Sequence, residues 1–468
     1  MTSMQVFIVA ITIGLNALDG FDVTSISFAG PGIAADWGIN RAVLGFVLSA
    51  ELVGMAIGSI LLGGVADRIG RRRTMLGCLV VMALGMLMVT TTNGILGGIF
   101  APFFTFLTAL FGGAAVEVRL ADLAMWRVIT GLGIGGMLAS INAVAAEFSN
   151  AKRRDLSVSL MAIGYPIGAV VGGTIASELL RIYDWRAVFY FGASVTAVFI
   201  PLVYFFVPES VHWLAHKQPV GALERINQTL RRLGHTVVAA LPTITAEHKK
   251  RSTGDIFRPA LLVTTVLVTT AYFFHITTFY FILKWVPNIV ASMGFDPSSS
   301  GYILVWTNVG GATGGLVIGL LTLRYSVKAL TIAVMLLSTV MVALFGRTPP
   351  DLVQLAAICA AAGFMTNGAI VGMYAIFARA FPTHVRAFGT GFAIGLGRGG
   401  SVLAPIIAGF LFTWGFALPD VALAMALGSF FAAIALSLLK LKPEHPEPEA
   451  KGRREEDAKL TDAVAHGR

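Results

Sequence analysis

Two aspartates three residues apart, Asp19 and Asp22, interrupt an apolar stretch that begins at Met4. On a helix, residues three apart share a face, and Asp19 then lies roughly 22 Å along that helix from Met4. That depth is past the middle of a bilayer core ~30 Å thick. A carboxylate there costs about 3 kcal/mol even on lenient insertion scales, so it must face protein or water. Two like charges so close favour a proton on one of them. The pair is therefore a candidate proton carrier, with a helix-packing or hydrogen-bonding pair as the plain alternative. Arg398, among Gly395, Gly397, Gly399 and Gly400, is a permanent cation able to grip a carboxylate with two parallel hydrogen bonds. A fixed ion pair with Asp19 or Asp22 competes with that reading.

Other ionisable residues also fall in apolar runs. Arg127 can bridge to Asp122 or meet an outer-face headgroup. Glu51 is an unpaired charge suited to a contact between halves of the fold or to packing. His275 can titrate near neutrality, although a satisfied interior histidine is commoner, and Lys284 is placed to snorkel. Tyr280 sits among Tyr272, Phe273, Phe274, Phe279 and Phe281, aromatics that can stack a planar ligand. Tyr165-Pro166 is better suited to bending a helix than to touching a ligand.

The elements that position these residues follow from composition. Of 468 residues 56% are hydrophobic and 13% charged, against roughly 25% charged in soluble domains. Disordered, fibrous and ordinary soluble chains are excluded. Cys78 and Cys359 both lie in apolar stretches, so neither a disulfide framework nor a cysteine zinc site is expected, and no metal or cofactor. Apolar runs long enough to span a bilayer fall at 4–31, 42–65, 74–92, 122–147, 156–180 and 186–207. A second set falls at 260–287, 301–322, 328–346, 352–377, 387–413 and 419–440. The expectation is an all-α membrane protein with twelve spans in two six-helix bundles. The bundles are 1–207 and 260–440, joined by a linker over 208–259 and followed by a disordered cytoplasmic tail over 441–468.

Lysine and arginine fix the orientation, because cytoplasmic loops collect them. With both termini inside, cytoplasmic segments hold 26 of the 34 and the opposite loops hold five. The net charge of +9 then faces an anionic inner leaflet and requires no nucleic acid. Arg71–Arg73 and Lys152–Arg154 must share one face, and spans 74–92 and 122–147 already return the chain to it. The run 94–116, broken by Gly97-Gly98, Pro102 and Gly112-Gly113, is therefore expected as a re-entrant or interfacial insertion on the outer face. The first run lacks a basic start and a small-residue cleavage site, so it is read as a span, not a signal peptide. In the linker, Leu223, Ile226, Leu230 and Leu233 predict a short amphipathic helix on the inner membrane surface.

The halves echo each other. Gly63 to Arg72 joins spans two and three, and a worn copy from Gly319 to Lys328, with Leu323 in place of Asp67, joins spans eight and nine. Phe148 to Arg153 pairs with Phe381 to Arg386. The offset shrinks between the two matches by about the length of the 94–116 run. Parallel repeats are an architecture of alternating-access transporters. Gly131 to Gly136 and Gly395 to Gly400 fit Gly-x-Gly-x-x-Gly but lack the strand context of a nucleotide loop. No His-Glu-x-x-His or Gly-x-Ser-x-Gly pattern points to an enzyme.

The stretch 63–73 resembles the loop signature of the major facilitator superfamily. Arg127-x-x-x-Gly131-x-Gly133 resembles its fourth-span motif. Gly164-Tyr165-Pro166-x-Gly168 resembles its fifth-span motif, and Pro208-Glu209-Ser210 the close of its sixth span. Within it, Asp19-Gly20-Phe21-Asp22, Asn367-Gly368-Ala369 and Gly395-Leu396-Gly397-Arg398 are similar to the aromatic acid:proton symporters. The resemblance implies a proton-coupled importer of a benzoate- or hydroxybenzoate-like carboxylate, monomeric, in a bacterial-type inner membrane. Asp19, Asp22 and Arg127 would couple protons; Arg398, Asp22, Tyr280, His275 and Asn367 would bind substrate; Asp67, Arg68, Arg71 and Arg72 would form a cytoplasmic gate. A proton-driven exporter of an organic acid or drug and a non-transporting membrane sensor of aromatic acids are the competing expectations.

Overall fold

The computed structural model describes residues 1–92, 94–109, 115–150, 153–241, 256–382 and 385–441. The expected tail after Leu441, linker residues 242–255, Lys152 and Gly112-Gly113 lie outside the described residues.

Fifteen helices make up the described structure. The first half holds α1 (Ser3–Trp37), α2 (Arg41–Ile69), α3 (Arg71–Thr91), α4 (Ile95–Ala109), α5 (Val118–Glu147), α6 (Arg154–Ile182) and α7 (Arg186–Phe206). Two short linker helices follow, α8 (Val211–Lys217) and α9 (Ala222–Arg232). The second half holds α10 (Pro259–Ser292), α11 (Pro297–Leu321), α12 (Val327–Phe345), α13 (Leu352–Ala380), α14 (Arg386–Thr413) and α15 (Leu418–Leu438). Twelve of them are long and apolar enough to cross a membrane, one for each run anticipated. Polar residues set their ends. Thr2 and Gln5 form a capping box at α1, and Asn40, Asp296 and Asp351 accept a backbone N–H at the starts of α2, α11 and α13.

The anticipated insertion contains one helix, α4, packed on the start of α5. Asp122 Oδ1 accepts from Leu96 N at 2.9 Å and Gly97 N at 3.0 Å, capping the first turn of α4. Asp122 is thus a helix cap and not the partner of Arg127. In the linker, Ile226 on α9 packs against Trp213 and Leu214 of α8.

The internal repeat shows in the pairing of helices: α2 lies on α5 as α11 lies on α13, and α1 on α6 as α10 on α14. Between halves, α1 meets α10, α2 meets α14, and α6 meets α11. Below, the end carrying the arginine-rich 66–73 loop is the basic face and the opposite end the far face. The bonds across the seam include Tyr302 Oη to Glu178 Oε1 (2.6 Å) and Ser49 Oγ to the Val402 carbonyl (2.7 Å), both in the far half. Descending α2 toward the basic face, the series ends at Ser59, ten residues short of Ile69, roughly 15 Å of helix. These bonds clasp the halves from the far face down to Ser59, about two-thirds of the way along α2.

Candidate functional site

The site is built where α1, α2, α5 and α10 meet. Close packing of α5 on α2 sets it up, since a Cβ at Gly131 would collide with the Glu51 carbonyl oxygen. Gly400 presses in the same way on the Phe273 carbonyl. Both glycine-rich runs thus serve helix packing. With α2 and α5 this near, Arg127 Nη2 reaches Glu51 Oε2 at 2.5 Å, and both side chains are fully buried. The same nitrogen donates to the Asp22 carbonyl at 2.9 Å, and Nη1 meets Met86 Sδ at 3.2 Å. The guanidinium also lies 5.5 Å from the Phe189 ring centre.

Lys284 enters from the other half. Its Nζ lies 3.7 Å from Glu51 Oε2 and donates to the Val23 carbonyl, and the side chain is fully buried. The expectation that Lys284 snorkels is corrected: α10 continues beyond it to Ser292, so its ammonium is held inside the seam. Glu51 therefore carries one cation from each half. The inter-half contact anticipated for it exists, while its description as unpaired does not hold.

Asp19 and Asp22 are buried on α1, at 1% and 0% exposure. Neither carboxylate has a hydrogen-bond partner among the described residues. Arg398 is not paired with either. Its Nη1 donates to Ser59 Oγ at 3.1 Å and, more weakly, to the Met55 carbonyl at 3.4 Å, both on α2. A cation held by neutral groups of α2 thus stands on the basic side of the cluster. Tyr280 packs against core side chains of both halves.

Two other expected ligand residues lie deeper in the second half. His275 is fully buried, with Nδ1 2.9 Å from Ser429 Oγ and Nε2 2.8 Å from the Thr366 carbonyl. Both ring nitrogens are engaged, which is the satisfied interior histidine and leaves none free for a ligand. Asn367 donates to the Gly311 carbonyl at 2.6 Å. With Tyr165, Pro166 and Asn308 it lines a cavity of about 40 Å³, room for waters but not for an aromatic acid.

Of the expected gate residues, Asp67, Arg71 and Arg72 bond within the first half. Asp67 Oδ1 and Arg71 Nη1 pair at 2.5 Å, and Arg68 is exposed. Arg72 donates to the Tyr204 carbonyl and lies 5.1 Å from that ring's centre. Glu209 Oε1 accepts from the backbone N–H of Arg71 (2.7 Å) and Arg72 (3.1 Å), placing a carboxylate at the positive end of α3. Trp213 Nε1 donates to the Asp67 carbonyl at 3.0 Å. The Pro208-Glu209-Ser210 motif by itself does not announce this part for Glu209. The signal is an acid whose partner, an arginine-rich helix start, lies four spans earlier in the chain.

Two six-helix halves closed over a buried ionisable cluster define a multi-pass membrane transporter. The profile described as Major Facilitator Superfamily matches residues 12–287 and 268–466, and the chain belongs to that superfamily. It is 26% identical over 422 residues to a gallate transporter of Pseudomonas putida, covering 89% of this chain and 88% of that one. It is 28% identical over 412 residues to the 4-hydroxybenzoate transporter PcaK of Acinetobacter baylyi, covering 85% and 83%. Among solved structures, the inward open conformation of the xylose transporter XylE from E. coli superposes with a TM-score of 0.69 at 18% identity, covering 94% and 97%.

Proposed function

We propose that this protein imports a small aromatic carboxylate together with protons by alternating access across a bacterial cytoplasmic membrane, working as a single chain with both termini inside. The observation that carries the reading is Glu51 held between Arg127 and Lys284 beside two unpartnered buried carboxylates. An uncompensated carboxylate in a dry interior is costly, and Asp19 and Asp22 relieve that cost by taking a proton. Arg127 fixes Glu51 and the Asp22 backbone, so protonation at Asp22 is felt by the ion pair. Arg398 takes the substrate carboxylate, Tyr280 borders the ring, and Asn367 and the small cavity supply polar contact on the second half. Asp67, Arg68, Arg71 and Arg72 clasp the basic face when it closes. The substrate class is supported by the relatives, named for gallate and 4-hydroxybenzoate.

The driving logic is differential binding: a ligand shifts an equilibrium only by its preference for one state. In the far-closed state Lys284 is neutralised across the seam by Glu51. Opening the far face pulls α10 from α1 and α2, breaking both bonds of Lys284, and a substrate anion with a proton compensates the separated charges. Proteoliposome uptake of labelled benzoate, 4-hydroxybenzoate and gallate, with and without an inward proton gradient, tests the reading. Accumulation driven by the gradient is expected, and Asp19→Asn or Asp22→Asn abolishes it. Uptake indifferent to the gradient, or full accumulation by both variants, refutes proton coupling.

A further inference from the structure

A second opening lies on the far face, apart from the residues assigned above. Between the ends of α1, α10 and α14 and the starts of α2 and α11 is a cavity of about 380 Å³, within the range of small-ligand pockets. Trp285, Phe295 and Phe412 make its wall aromatic. Two polar groups converge on it. Arg41 is exposed at the start of α2, its guanidinium 4.7 Å from the Phe412 ring centre. Asn288 is 8% exposed, and both its amide atoms lack a hydrogen-bond partner among the described residues. Buried amides are normally satisfied, so one left open on a cavity wall marks a place for a ligand's polar atoms.

The nearby carboxylates are engaged elsewhere. Asp36 Oδ2 accepts from Trp185 Nε1 (3.2 Å) and pairs with Arg186 (3.3 Å). Asp296 accepts from the Ser299 N–H and hydroxyl, which hold its carboxyl below the usual range. The cavity's own charge is thus Arg41, and it favours an anion. A guanidinium, an amide and an aromatic wall together suit a planar ring bearing a carboxylate.

We infer that this cavity is a second binding site for an aromatic monocarboxylate, an anteroom on the far face that is formed while the seam beneath it is closed. Arg41 holds the carboxylate, Asn288 a ring hydroxyl or the second carboxylate oxygen, and Trp285 and Phe412 the ring. Lys284 adjoins Trp285 on α10, so the anteroom and the buried cluster share that turn of helix. The substrate class rests on the transport reading above; the site rests on the cavity and its open polar groups.

Equilibrium binding of labelled 4-hydroxybenzoate to the full-length protein in nanodiscs, in an Arg398→Ala background, isolates the anteroom. One saturable class of site is expected, competed by benzoate but not by benzyl alcohol. Arg41→Gln weakens it by about tenfold or more, Asn288→Leu weakens it as well, and Arg41→Lys retains part of it. Absence of saturable binding, or binding that Arg41→Gln leaves unchanged, overturns the inference. Arg41 is exposed, so its variant tests the site even if Asn288→Leu folds poorly. The two readings fail separately. Arg41-dependent binding without accumulation of any aromatic acid sinks the transport reading and keeps the site, while uptake with binding indifferent to Arg41 does the reverse.

Discussion

Lys284→Met should loosen the far-face closure. The ammonium and Glu51 Oε2 are 3.7 Å apart, which at an effective dielectric near 20 is a gross attraction of about 4.5 kcal/mol. Burying an ammonium costs several kcal/mol, and methionine returns that cost. Removing one member of a buried pair usually costs 3–5 kcal/mol, because the survivor is left uncompensated (roughly, across proteins). Here Glu51 keeps Arg127 at 2.5 Å, so the net loss is smaller, about 1–2 kcal/mol. It falls on the far-closed state, because both bonds of Lys284 cross the seam. That corresponds to a shift of about five- to thirtyfold toward far-open conformers. Spin labels at Tyr183 and Val353, exposed on opposite halves at the far face, report the change as a longer distance population in pulsed electron resonance. Lys284→Arg should restore most of the short population. A distance distribution unchanged in Lys284→Met would show that the pair does not hold the halves together. A variant that lost the long population instead would reverse the sign of the argument.

Three further outcomes follow from the same geometry. Glu209→Ala removes the acceptor for two backbone N–H groups at the start of α3 and should lower thermal stability by about 1–2 kcal/mol, read as a drop in melting midpoint in detergent. Gly131→Ala drives a methyl into the Glu51 carbonyl, so folded yield on size exclusion should fall sharply, and any protein recovered should transport poorly because the Arg127–Glu51 pair is displaced. His275→Gln leaves at least one of two buried hydrogen bonds imperfect, at a cost of about 1–3 kcal/mol. It should reduce stability while leaving the KM for substrate unchanged; a raised KM at full stability would make His275 a ligand residue after all.

How much of this was legible in the sequence depends on the distance over which the signal acts. The twelve spans follow from solvent: backbone polar groups in lipid must be satisfied within the segment, so hydrophobic length alone announces each helix. Burial of Asp19 and Asp22 follows by the same argument, since lipid exposure is too costly. The internal repeat could be read because Gly63, Arg68 and Arg72 have counterparts in Gly319, Arg324 and Lys328, although Leu323 replaces Asp67 and the offset shortens by about the length of the 94–116 run. Pairing is another matter. Glu51, Arg127 and Lys284 each appear as a lone charge in an apolar run, and the sequence does not say which buried acid, Asp19, Asp22, Glu51 or Asp122, each cation meets. The choice was made by helix registration. Gly131 lets α5 sit close enough to α2 for Arg127 to reach Glu51, and Asp122 is diverted to capping α4, an element with no counterpart in the second half.

Lys284 and Arg398 show why depth estimated from one helix misleads. Counted along α10 alone, Lys284 is near enough to the far face to reach water. In the folded protein α1 and α2 cover it, and the nearest charge is a carboxylate in the other half. Arg398 lies near the middle of α14 and could have paired with the α1 aspartates, yet α2 stands between the halves at that point and supplies a hydroxyl and a carbonyl instead. The consequence is functional. A guanidinium held by neutral groups keeps its charge available to an incoming anion, whereas one locked to a carboxylate would have to be released first. On the proposed role of Arg398, Ser59 sets how freely it can trade its bond for a substrate. Ser59→Asp should raise the KM for an aromatic acid by tenfold or more (about 1.4 kcal/mol or greater), and Ser59→Ala should leave it within a few-fold. Equal effects from the two would mean that Arg398 does not meet the substrate.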